Sequence, residues 1–109
     1  LRNHTIRRGS VWCEVDGGDI YFTGGSDVVF HTAIEVVRVA GSSLEVTQKA
    51  GMLRERAYHG SVYYKDYLYT IGGYNRNYMR ECERLPVSED RWEALQPLPR
   101  GCSDVSVVV

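Results

Sequence analysis

The chain has 109 residues, 43% hydrophobic and 25% charged, with 13 basic and 14 acidic side chains and a net charge of −1. That apolar share supports a core and argues against wholesale disorder. The balanced charge gives no global field toward nucleic acid or anionic lipid, and no apolar run approaches the ~20 residues of a membrane-spanning helix. Residues 1–7 are a short polar segment. Residues 10–15 are rich in β-formers and read as a strand. Asp16-Gly17-Gly18-Asp19 is a tight turn, because glycine supplies the positive φ that hairpins need. Residues 20–23 return as a second strand and end at Gly24-Gly25. Residues 26–31 form a loop, 32–39 a third strand, Gly41-Ser42-Ser43 a turn and 44–48 a fourth strand.

The same order then repeats. Residues 49–55 are a link, 58–64 a strand, Lys65-Asp66 a two-residue turn and 67–71 the return strand, ending at Gly72-Gly73. Residues 74–78 form a loop. Residues 79–87 are the third strand, with Pro86 marking its end, Ser88-Glu89-Asp90 the turn, and 91–96 the outer strand. Residues 97–100 lead into a final apolar run, 102–109. The markers recur at one spacing: 72 − 24 = 48 for the double glycines, 83 − 35 = 48 for Glu35 and Glu83, and 56 − 8 = 48 for Arg8 and Arg56. Arg100 follows Arg56 after 44 residues. No helix is predicted beyond a one-turn excursion near residues 50–56.

These residues resemble the kelch repeat, the blade unit of a β-propeller, whose period is roughly 50 residues. The resemblance is most specific in Arg56-Ala57-Tyr58-His59-Gly60, in Leu68-Tyr69-Thr70-Ile71-Gly72-Gly73, in Glu83 and Trp92, and in Pro97-Leu98-Pro99-Arg100. The first unit is degenerate: Leu44 stands at the tryptophan position and Val11 at that of His59. The resemblance implies an all-β fold, a partial kelch propeller. It would have a degenerate blade over 8–49, a second blade over 50–99 and the first strand of a third over 100–109, each full blade being a four-stranded antiparallel sheet. Propellers close with about 4–8 blades, so further blades from the same chain or from other copies are expected. The chain opens on Leu1 and ends inside an apolar strand, and is read as a piece of a larger array.

In such a blade the loops after Gly25 and Gly73 share a rim with the start of each innermost strand. The candidate partner-binding residues are therefore Tyr74, Asn75, Arg76, Asn77 and Tyr78, with Tyr58 beside them and Ser26 and Asp27 at the matching place in the first unit. Aromatic residues with arginine are enriched at interface hot spots; the alternative is a solvated polar loop. Gly24, Gly25, Gly72, Gly73, Glu35, Glu83, Trp92, Arg8, Arg56 and Arg100 read as structural, with the arginines bonding carbonyls or a carboxylate between blades and the glutamates as partners.

For catalysis the sequence is poor. His4, His31 and His59 lie far apart, without metal-ligand spacing, and neither double glycine has the spacing of a phosphate loop. No cofactor or metal is expected. Cys13, Cys82 and Cys102 form no CxxC and read as reduced thiols packed as small apolar groups, which favours a cytoplasmic compartment. The resemblance implies a protein–protein interaction module that recognises a protein or peptide through rim loops, with substrate adaptors of cullin-based ubiquitin ligases among its precedents. The alternatives are a structural or actin-associated scaffold, or part of a kelch-type enzyme whose active centre lies elsewhere.

Overall fold

The computed structural model describes residues 8–15, 18–26 and 29–104. The expected pair of four-stranded antiparallel sheets is present. The first is a meander of β1 (Val11–Val15), β2 (Asp19–Thr23), β3 (Ile34–Ala40) and β4 (Ser43–Lys49). The second repeats it with β5 (Gly60–Tyr64), β6 (Tyr67–Ile71), β7 (Cys82–Pro86) and β8 (Glu93–Ala94).

The alternation along each strand explains which face is buried. In β6, Leu68 and Thr70 are buried while Tyr67, Tyr69 and Ile71 are only partly covered. The inward face of the second sheet meets that of the first, and Val15, Tyr21, Ile34 and Val36 pack with Leu68, Leu85, Trp92 and the linker residue Met52. Each such aliphatic side chain contributes roughly 1.5–3 kcal/mol by leaving water. The opposite faces are open among the described residues: Trp12 is 63% exposed on the first sheet, and the ring of Tyr67 lies under the Arg84 guanidinium on the second.

Several strand ends differ from expectation, each for a local reason. The innermost strand of the second sheet begins at Gly60 rather than Tyr58, because Tyr58 has a φ of 54° and leaves extended geometry. The third strand begins at Cys82 rather than residue 79, because Met79 gives its N–H to Gly73 O and pairs with Cys102. Likewise β3 starts at Ile34, since His31 bonds back to Gly25 O and Thr32 O accepts from Met52 N. The outer strand β8 keeps two residues of the predicted six, because Trp92 turns inward, where its Nε1 donates to Ala50 O at 2.9 Å. The Lys65-Asp66 turn is as read: both residues have positive φ, 46° and 72°, the signature of a type I′ hairpin. Of the expected third-unit strand, Cys102 forms an isolated bridge with Met79, and residues 105–109 lie outside the described residues, as do residues 1–7 and the Asp16-Gly17 part of the first turn.

The two units are superimposed in register, but not at a uniform spacing. Thr23 pairs with Ile34 as Ile71 pairs with Cys82, which is the 48-residue shift. Upstream of the first hairpin the shift is 49, because three residues separate Val15 from its partner Asp19 and only two separate Tyr64 from Tyr67. Val11 therefore matches Gly60 and not His59. On the outer strand the shift is 46, because Val36 pairs with Thr47 and Arg84 with Glu93, so Val46 and not Leu44 stands in register with Trp92.

Candidate functional site

The rim that carries the candidate residues is built around one buried ion pair. Arg56 is 0% exposed. Its Nη1 donates to Gly72 O at 2.7 Å and Glu81 O at 2.8 Å, and its Nη2 donates to Glu83 Oε2 at 2.9 Å. Glu83 also accepts the Leu53 and Arg54 N–H groups, at 2.6 and 3.1 Å. Burial pulls the Arg56 pKa down and the Glu83 carboxylate works against that. The pair clamps residues 53–56 onto β7. Arg56 makes these bonds within its own repeat, not between repeats as the sequence reading had it.

The hydrogen bonds between the repeats come from backbone groups, from Lys49 Nζ donating to Val87 O at 3.3 Å, and from His59. Gly25 N donates to Arg56 O and Gly73 N donates to Cys102 O, while Gly24 and Gly72 close their own loops on Ala33 O and Glu81 O. All four glycines have positive φ. A side chain at Gly24 would run into Arg56 O and the His59 ring, so both the conformation and the close approach demand glycine. Tyr58 N donates to Gly9 O and Asp104 N to Tyr58 O, and all three residues share positive φ. That conformation was not legible, since neither tyrosine nor aspartate announces it. His59, which sequence reasoning did not single out as a site, is buried with Nε2 2.6 Å from Thr23 Oγ1 of the first sheet. Burial, helped by the Arg56 charge, lowers its pKa to about 3, so the ring is neutral at physiological pH.

These bonds also correct the arginine series. Arg8 exchanges backbone bonds with Ser26 as Ala57 does with Tyr74, so Arg8 is the counterpart of Ala57, and it is exposed. The position matching Arg56 in the first unit is residue 7, outside the described residues. In the third unit Cys102, not Arg100, takes the place of Arg56, because Cys102 O receives the Gly73 N–H as Arg56 O receives that of Gly25. Arg100 is exposed. Glu35 sits on β3 at the register position of Glu83 and pairs with Gln48 in the ladder.

The candidate loop stands beside this clamp. Tyr74 pairs with Ala57 on one side and Tyr78 on the other. Its ring meets that of Tyr78 edge-on at 5.7 Å and that of Phe30, from the first repeat, at 5.9 Å. Asn75 Nδ2 donates to Glu55 O, Asn77 Oδ1 accepts from Tyr78 N, and Arg76, at φ 64°, projects as the exposed apex. Tyr58 is half-buried, and its ring lies against Gly9. Ser26 is half-buried and bridges both Arg8 and Phe30; Asp27 lies outside the described residues. The loop and the linker enclose an open cleft of about 880 Å³, with Asn75, Asn77 and Tyr78 on one wall and Leu53, Arg54 and Glu55 on the other. From the sequence, the linker wall is legible only as a connection.

Residues 55–99 match the Kelch motif. This stretch is similar to a kelch repeat. The kelch assignment covers the ion pair, the double glycine, the aromatic loop and Trp92, and the preceding sheet repeats its topology strand for strand. Kelch repeats generally mediate protein interactions, as units of β-propellers. No curated protein matches the chain. The three cysteines are unpaired thiols, with Cys82 buried and the Cys13 thiol pushed up by burial.

Proposed function

We propose that this kelch segment docks a protein or peptide partner on the rim formed by residues 74–78 and the linker 53–56, and that it carries no catalytic centre of its own. The observation that supports this most is the aromatic cluster of Phe30, Tyr74 and Tyr78, whose outermost ring, Tyr78, lines the cleft and is 62% exposed in the same loop as the apical Arg76. Exposed aromatic area next to arginine is what interface hot spots are made of. The clamp beneath fixes the loop, so little ordering entropy is lost on binding. The open sheet faces carry exposed Trp12 and Val39 on one side and Tyr64 on the other, which fits further blades from the same chain or other copies. A cytoplasmic location fits the three unpaired thiols. Within this class, a substrate-adaptor role for a cullin-based ubiquitin ligase rests on the resemblance alone.

The test is site-specific photo-crosslinking in the intact protein in cells. A photoreactive residue at Tyr78 is expected to give protein adducts that Arg76→Ala weakens without a change in melting temperature. The same residue at Ser88, in the turn at the opposite rim, is expected to give none. Equal adducts from both rims would remove the docking assignment.

A further inference from the structure

The cleft continues inward. A second cavity of about 280 Å³ shares Leu53, Arg54, Glu81 and Ala94 with the outer one and is closed by Leu95 and Pro97. At its inner end lie Arg56 and Glu83, whose charges are directed at each other. Leu53, Ala94, Leu95 and Pro97 give the notch its apolar walls, and Arg54 and Glu81 stand where it joins the outer cleft, in a space that suits one side chain and not a helix ~10 Å across. The outer cleft differs. Glu55 and Glu81 line it against the single guanidinium of Arg54, an excess of one negative charge. Hydrogen bonding from its own backbone N–H, with the nearby Arg54 charge, holds the Glu81 carboxyl below its ordinary range. Two of the large exposed apolar side chains, Leu53 at 58% and Tyr78 at 62%, face this cleft from opposite walls. Ala94, on the short outer strand β8, borders both compartments, so an extended segment lying in the outer cleft passes directly over the notch.

Building on the docking reading, we infer that this two-part cleft takes an extended peptide that places an apolar side chain in the notch and an adjacent lysine or arginine against Glu81 and Glu55. The apolar anchor supplies burial, and the basic neighbour supplies selectivity through charge complementarity. An acidic neighbour would meet the net negative charge of Glu55 and Glu81 over Arg54 and is disfavoured.

Fluorescence anisotropy on the intact protein tests this with three labelled octapeptides in a glycine-serine frame, containing Leu-Arg, Leu-Glu or Gly-Arg. The Leu-Arg peptide is expected to bind at least about tenfold tighter than either of the others, a difference of about 1.4 kcal/mol, and to weaken as salt rises. Glu81→Gln should remove the preference for Arg over Glu, and Glu81→Lys should reverse it. Ala94→Phe fills the notch from an exposed strand position and should weaken Leu-Arg about tenfold while circular dichroism stays unchanged. Equal or tighter binding of Leu-Glu, indifference to Ala94→Phe, or failure of all three peptides to bind would overturn the inference. If the peptides fail while Tyr78 still crosslinks a protein partner, the docking reading stands and only the cleft chemistry falls.

Discussion

The two repeats hold their outer strands by different means. In the first, β4 pairs with β3 over seven residues, from Ile34 with Lys49 to Ala40 with Ser43, and most of β4 is exposed. A surface ion pair between Arg38 and Asp19 ties β3 to β2. In the second, β7 and β8 share two pairs. What fastens that edge is the Trp92 indole, 5% exposed and bonded to Ala50 O, together with Asp90 Oδ1 accepting from Ala50 N. A long ladder and a buried tryptophan are alternative solutions to one problem, because an outer strand with little packing needs either many backbone bonds or one large anchor. The repeat that matches the kelch motif is the one that uses the anchor.

That contrast breaks most sharply at Trp92. Trp92→Ala should cost ~3–5 kcal/mol in denaturant unfolding, while Leu44→Ala, on the exposed outer strand of the first repeat, should cost less than about 1 kcal/mol. Equal losses would mean that the tryptophan is not the fastening. Glu83→Gln leaves the buried Arg56 without its counter-charge and should cost about 2–3 kcal/mol; hydrogen exchange at Leu53 and Arg54 should rise with it, since both N–H groups are held by that carboxylate.

His59 tests the seam between the repeats. Its pKa is about 3 in the fold against 6.5 ordinarily, so the unfolded chain binds the proton first as pH falls. The contribution is complete above pH ~6.5 and declines by ~1.4 kcal/mol per pH unit down to about 3. His59→Phe should flatten that part of the stability profile; an unchanged slope would show that other groups cause it. The smallest effect is at the second hairpin. Lys65 adopts the left-handed conformation that asparagine tolerates better, so Lys65→Asn should raise stability by ~0.5–1 kcal/mol, with a higher melting temperature as the readout.

Much of this architecture is legible in the residues. Tyr67–Ile71 alternates cleanly between two glycines and a polar turn, and its bounds follow directly. The spacing of 48 between the double glycines survives because both lie in the same part of the blade. The arginine series misled for a physical reason. The first hairpin has one residue more than its counterpart, and the β7–β8 connection has two fewer than that of β3 and β4, so the spacing of 48 matched Arg8 to Arg56 in place of Ala57, and Arg100, at a spacing of 44, fell two residues short of Cys102. On the candidate site, the loop was visible as aromatic residues around an arginine. Its facing wall was not, because Leu53, Arg54 and Glu55 become a wall only when Glu83 draws their backbone onto β7.

The glycine bonds across the repeats carry a consequence for how the chain matures. Gly25 N finds its acceptor on Arg56, and Gly73 N finds its own on Cys102. Each blade thus leaves one rim amide for its successor to occupy. As the chain emerges from the ribosome, the first blade's edge is completed only after residue 56 has been synthesised. A chain that stops short of residue 56 would lack the acceptor that the Gly25 amide uses here.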